Sequence, residues 1–90
     1  MDGPITVAPE LVIEVLSPSE TRRTIDPKIA DFQSVGVQEC WVVSPEAETV
    51  EILALTADSV RSVSISGRGQ EVRSVVFPEL RIAVARIFER

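Results

Sequence analysis

Residues 10–16 read E-L-V-I-E-V-L, an almost unbroken run of apolar and β-branched residues between Pro9 and Pro18. Such a run is typical of a strand that is buried in the middle of a sheet. Glu14 is the charged residue inside the run, and a buried carboxylate is costly unless it is hydrogen-bonded, paired or bound to a metal. We therefore expect Glu14 either to take part in chemistry or to pair with a basic side chain.

The residues after this strand predict a crossover helix and a second strand. Asp26 and Pro27 form a helix start, with Asp as the N-cap and Pro at the first helical position. Gly36 is placed to end the helix as a C-cap. Cys40–Val43 then reads C-W-V-V, a short buried strand. The helical connection is long enough to make the two strands parallel, with a right-handed crossover.

The rest of the chain predicts further strands and a short helix. Thr49–Leu55 is expected to form a hairpin with the preceding strand, and Ser59–Ser66 alternates like a half-exposed edge strand. Val72–Val76 reads as another short strand, and Ile5–Val7 as a brief strand near the start. The last ten residues have the apolar spacing of a short terminal helix. The predicted class is α/β, with a mixed β-sheet, one crossover helix and a short C-terminal helix.

Length and charge limit the class of protein. Ninety residues predict a single domain, residues 1–90, for which self-association is the simplest way to add buried surface. The net charge is −5, with 3 basic and 11 acidic side chains in residues 1–60 and 6 basic and 3 acidic ones in residues 61–90. The acidic majority argues against a broad nucleic-acid-binding surface, which needs clustered Lys and Arg.

Several kinds of site are excluded by missing residue types. The chain has no His, so it has neither a Ser-His-Asp triad nor a His-rich zinc site. Its one cysteine, Cys40, permits no internal disulfide and lies in an apolar strand, where Cys usually acts as a small buried hydrophobe. No signal peptide or membrane span is visible, so we expect a cytoplasmic protein without a membrane partner.

Glu14 and Lys28 are the candidate catalytic residues. Glu14 lies near the C-terminal end of its strand, where sites form in parallel α/β sheets, and Lys28 lies in the first turn of the next helix. A carboxylate and a lysine at strand ends can hold a divalent metal and stabilise phosphate charge. Glu10 shares a face with Glu14 by alternation, so both are candidate metal ligands. The simpler alternatives are an exposed or ion-paired Glu14 and a surface Lys28.

The chain resembles the Uma-two family, whose members are described as restriction endonucleases of the wider superfamily with a PD-(D/E)xK active site. The resemblance is carried by P-E-L-V-I-E-V-L-S-P-S at residues 9–19, Lys28 and Phe32, G-V at 36–37, E-C-W-V-V-S-P at 39–45 and F-P-E-L at 77–80. It extends over nearly the whole chain and implies a restriction-endonuclease-like core. In that core Glu14 would ligate Mg²⁺ or Mn²⁺, Lys28 would be its basic partner, and nucleic acid would be the substrate if the site is active.

The sequence also departs from the pattern of this family. The family normally has a longer region before Pro9 that supplies the first active-site acid, whereas eight residues precede Pro9 here. Asp2 is acidic, but its surroundings do not resemble the missing motif. Ser44 stands where an Asp is expected, and Glu10 also replaces an Asp. One carboxylate is a poor Mg²⁺ site, and an uncovered strand edge needs a partner, so we expect a truncated, partial endonuclease-like domain.

Three hypotheses about function are consistent with these observations. The first, which we favour, is a truncated and inactive restriction-endonuclease-like domain that acts as an oligomeric or partner-binding module. The second is a metal-dependent nuclease whose site is completed in trans in a homodimer, or by Glu10. The third is an interaction domain in which Glu14 and Lys28 are scaffold residues. A homo-oligomer is the expected partner in the first two, with nucleic acid bound only if the site is active.

Overall fold

The structure is a computed structural model that describes residues 9–89. The expected strand at Ile5–Val7 and the acidic Asp2 lie outside this range. The elements are β1 (Leu11–Val15), α1 (Asp26–Ser34), β2 (Glu39–Ser44), β3 (Thr49–Leu55), β4 (Val60–Ser66), β5 (Glu71–Arg73), β6 (Arg81–Ala83) and α2 (Val84–Ile87). No helix in the described part of the chain is long and apolar enough to span a membrane.

The main sheet has four strands in the order β1-β2-β3-β4. Strand β1 is parallel to β2, with Glu14 opposite Val42, and α1 makes the crossover between them. Strands β2, β3 and β4 are antiparallel neighbours, and β4 forms the far edge. The predicted mixed sheet with one crossover helix is therefore confirmed. It could be predicted because the apolar run, the helix start and the turn signals are all local in sequence.

Helix α1 begins one residue earlier than the capping pattern predicted. Asp26 is the first helical residue rather than the N-cap, and its carboxylate pairs with Arg22 instead of capping the helix. The other end fits the prediction closely. Gly36 has φ +91°, its N–H donates to the Gln33 carbonyl, and the Val37 N–H donates to the Phe32 carbonyl. These paired bonds form a Schellman motif that ends the helix.

The C-terminal third differs from the expected strand followed by a helix. Strands β5 and β6 form a separate two-stranded antiparallel sheet, and α2 is a single turn. The predicted strand at Val72–Val76 stops at Arg73. The N–H groups of Val75 and Val76 instead donate to the buried carboxylate of Glu39 on β2. A sequence pattern could not show this, because the acceptor lies far away along the chain.

The main sheet carries one apolar cluster on each face. The cluster on the α1 side contains Leu16, Ile25, Ile29, Val37, Cys40, Val42, Leu53 and Leu55. The cluster on the β5–β6 side contains Trp41, Val43, Val50, Ile52, Val72 and Val84. Alternation along β1 and β2 divides their side chains between the two faces. Glu14 has the same parity as Val12 and Leu16, so it projects towards α1.

Candidate active site

The structure brings Glu14 and Lys28 together. Glu14 lies near the C-terminal end of β1 on the face that α1 covers, and Lys28 lies in the first turn of α1. Lys28 Nζ lies 3.0 Å from Glu14 Oε2, which is both a hydrogen bond and an ion pair. The Glu14 side chain is 17% exposed and the Lys28 side chain 50% exposed, so the pair lies at the surface end of the strand.

A second carboxylate, which the sequence reasoning missed, joins this pair. Glu20 Oε2 lies 3.2 Å from Lys28 Nζ, so one ammonium group bridges two carboxylates. Glu20 Oε1 accepts a hydrogen bond of 2.9 Å from the backbone N–H of Ser17. Glu20 belongs to a polar loop without periodicity. The one feature of the sequence that could have indicated its role is its place between the end of β1 and the start of α1.

Charge pairing shifts two of the pKa values in this cluster. The Ser17 N–H and then the Lys28 ammonium hold the pKa of Glu20 below its ordinary value of 4.5. The hydrogen bonds and charges of Glu14 and then Glu20 raise the pKa of Lys28 above its ordinary value of 10.5. At neutral pH Glu20 is therefore ionised and Lys28 protonated. Both directions are those expected for an ion-paired cluster.

Glu10, the other candidate ligand, lies away from this cluster. It is exposed and immediately precedes β1, and its carbonyl accepts N–H bonds from Gln38 at 3.0 Å and Glu39 at 3.1 Å. Glu14 lies four positions after Glu10 in an extended chain, a backbone distance of about 13 Å. A metal shared by these two residues would require both side chains to reach towards each other along the strand.

The described residues do not fit a complete divalent metal site. Within residues 9–89, no group of three or more His, Cys, Asp or Glu side chains is arranged to hold a metal ion. Mg²⁺ takes carboxylate ligands, and Glu14 and Glu20 supply two, but both are directed at Lys28. Ser44, at the end of the neighbouring strand β2, offers a hydroxyl rather than a carboxylate.

A second buried acid, Glu39, is excluded from the candidate site by its contacts. It is 1% exposed on the β5–β6 side of the sheet. Its Oε2 accepts from Trp41 Nε1 at 2.7 Å, and its Oε1 accepts the N–H groups of Val75 and Val76 at 2.9 Å each. These three donors satisfy the carboxylate, which ties the β5–β6 connection to β2. Glu39 therefore stabilises the fold rather than serving chemistry.

The mixed sheet, with one parallel strand pair that a helix connects, matches a restriction-endonuclease-like nuclease fold. The chain belongs to the Uma2 family, described as "Putative restriction endonuclease", which matches residues 1–85. The resemblance seen in the sequence is thus confirmed, and the domain is nuclease-like.

Among solved structures, the chain is similar to a protein from Anabaena variabilis described as a "putative nuclease", with 23% identity and a TM-score of 0.67. The similarity covers 91% of this chain and 45% of that one, so the chain spans less than half the length of this solved relative. At 23% identity, this structural similarity establishes the fold alone. No curated protein matches the chain.

Proposed function

We propose that residues 1–90 form a partial restriction-endonuclease-like domain that does not cleave nucleic acid alone and acts as an oligomeric or partner-binding module. The supporting observation is the Lys28 ammonium, which lies 3.0 Å from Glu14 and 3.2 Å from Glu20. One basic and two acidic side chains lie together here, but the ammonium group is paired with both carboxylates. The part of the chain that the structure describes supplies no cluster of ligands around them.

Within this proposal, Glu14 and Lys28 are the remnant of the catalytic pair. Lys28 would hold the Glu14 carboxylate at the end of β1 and partly neutralise it, and neither residue completes a site alone. A cytoplasmic location also belongs to the proposal, because free cysteines such as Cys40 are usual in reducing compartments.

The alternative is a metal-dependent nuclease whose site is completed in trans in a homodimer. The position of Glu14 favours it, because within residues 9–89 β1 is an edge strand of the main sheet and a second polypeptide could approach it there. In that case Mg²⁺ or Mn²⁺ would be the cofactor and nucleic acid the substrate. Glu14 would be the ligand from one chain, with Glu10 as a further candidate.

A nuclease assay on the purified chain with Mg²⁺ or Mn²⁺ separates the two proposals. The variants are Glu14→Gln and, as a matched control, Glu79→Gln, which changes an exposed carboxylate on the turn between β5 and β6. We expect no cleavage by any of the three proteins. Circular dichroism should show that all three are folded. Cleavage by the wild type and Glu79→Gln, but not by Glu14→Gln, would overturn the proposal of inactivity and establish the alternative.

A further inference from the structure

In the part of the chain that the structure describes, strand β1 has one edge without a partner strand and an exposed apolar face. Among the described residues, β1 pairs with β2 and with no other strand. On the face opposite Glu14, the side chains of Ile13 and Val15 are 52% and 57% exposed. An open edge with unpaired backbone groups and exposed β-branched side chains is a template for pairing with another strand.

Strand β1 lacks the devices that block such pairing at the other edge. Strand β4 contains Arg61, and its register with β3 shifts between Ile52 and Leu53. Charged side chains and bulges of this kind protect edge strands. Strand β1 contains no Lys, Arg or Pro, and its register with β2 is unbroken. Its one charged side chain, Glu14, is already paired with Lys28.

We propose that β1 pairs antiparallel with β1 of a second copy of this chain, about a two-fold axis through Ile13. A two-fold interface requires a surface that complements itself. This register sets Ile13 against its own counterpart and Leu11 against Val15, so the apolar positions meet one another. It also sets Glu14 against Val12, so no like charges lie directly opposite each other. The sequence L-V-I-E-V is thus compatible with itself in this arrangement.

The neighbouring surface extends the apolar contact. A groove of about 290 Å³ adjoins the end of β1, and its lining is formed by Val15, Val43, Pro45, Ile87 and Phe88 together with Glu48 and Glu89. A pair of five-residue strands is short, and stable interfaces bury about 1,200–2,000 Å² in total. We therefore expect a dimer that dissociates on dilution.

This inference rests on the proposed module function and specifies its partner. The register would place Glu14 and the partner's Glu14 diagonally across the strand pair, on one face and about 7–8 Å apart. Any site completed in trans would therefore be assembled at this face. The dimer itself does not depend on cleavage, so its test is independent of the nuclease assay.

Sedimentation velocity over a range of concentrations tests the dimer. The variants are Ile13→Lys and the matched control Ile65→Lys, which changes a residue on β4 that is 63% exposed. We expect the wild type and Ile65→Lys to approach twice the 9.9 kDa of one chain at high concentration. Ile13→Lys should stay monomeric, because two ammonium groups would face each other. A monomeric wild type, or a dimeric Ile13→Lys, would overturn the proposal.

Cross-linking through a new cysteine tests the register and does not require a disruptive variant. Ile13→Cys should be joined to its own counterpart by a short bismaleimide, whereas Ile65→Cys should not. The native Cys40 does not interfere, because it is buried and burial raises the pKa of its thiol to about 11. Equal cross-linking of the two variants, or none at Ile13→Cys in a dimeric protein, would overturn the pairing of β1 with itself.

Discussion

Lys28 Nζ lies 3.0 Å from Glu14 Oε2, so an ion pair joins the first turn of α1 to β1 across fourteen positions of sequence. The same ammonium group contacts Glu20 at 3.2 Å. The sequence resemblance predicts the metal-binding acid at Glu14 and its basic partner at Lys28. In the structure these two residues are paired with each other. This is the physical basis for proposing a domain that is inactive alone.

Replacement of Glu20 by Gln should make the stability to urea less dependent on pH in the acidic range. The pKa of Glu20 is lowered by the Ser17 N–H and by Lys28, so the folded state favours the carboxylate. That stabilisation is present above the ordinary value of 4.5 and is lost as the pH falls through the lowered pKa. Urea midpoints measured from neutral pH to below 4.5 should therefore fall less for Glu20→Gln than for the wild type.

The control for this titration is Glu79→Gln, whose carboxylate is exposed on a turn. Its profile should run parallel to that of the wild type. If the urea midpoints of the wild type and Glu20→Gln change with pH in the same way, the Glu20 carboxylate does not make its contacts with Ser17 and Lys28 in solution.

Replacement of Gly36 by Ala should destabilise the protein by about 1–2 kcal/mol, the cost of a left-handed backbone for a residue with a Cβ. Gly36 has φ +91°, and a Cβ there would meet nothing within 4 Å, so the effect is backbone strain alone. Gly67→Ala is the control, since its added Cβ would make an ordinary contact at 4.0 Å without a positive φ. Urea unfolding measures both, and equal losses would contradict the Schellman assignment.

Replacement of Glu39 by Gln should cost about 1–3 kcal/mol, the penalty for an unsatisfied buried polar group. The amide oxygen can accept the N–H groups of Val75 and Val76, but the amide NH₂ then faces the Trp41 Nε1–H, which has lost its acceptor. Urea unfolding followed by the fluorescence of Trp41 gives the change in free energy. The control is Glu71→Gln on β5, which is exposed and should be neutral. Equal stability of the two variants would contradict the role of Glu39.

The main sheet could be predicted because its signals are local. The apolar run containing Glu14, the Asp26-Pro27 helix start and the Gly36 stop lie within one stretch of sequence, and the structure keeps all three within about a residue. From the sequence, Glu14 and Lys28 could be either a catalytic pair or an exposed or ion-paired Glu14 with a surface Lys28. That the two residues are neighbours could be anticipated, because the end of a strand and the first turn of its crossover helix lie close together.

The remaining features depend on contacts that no periodicity records. Glu39 resembles an ordinary polar residue at the start of a strand, and its burial depends on Val75 and Val76, which lie 36 and 37 positions away. The same contact ends the strand that was predicted to continue through Val76. Glu20 was missed because loop residues have no repeating pattern, and its position is set by one backbone N–H and one lysine.

Mn²⁺ binding to the purified chain, followed by electron paramagnetic resonance, tests most directly whether Glu14, Glu20 and Lys28 form only one side of a nuclease site. We predict that the wild type and Glu14→Gln bind Mn²⁺ equally weakly, because Lys28 is already paired with both carboxylates and the described residues add no further group of ligands around them. Tight binding by the wild type that Glu14→Gln abolishes would contradict this prediction, and it would show that the chain assembles a complete metal site.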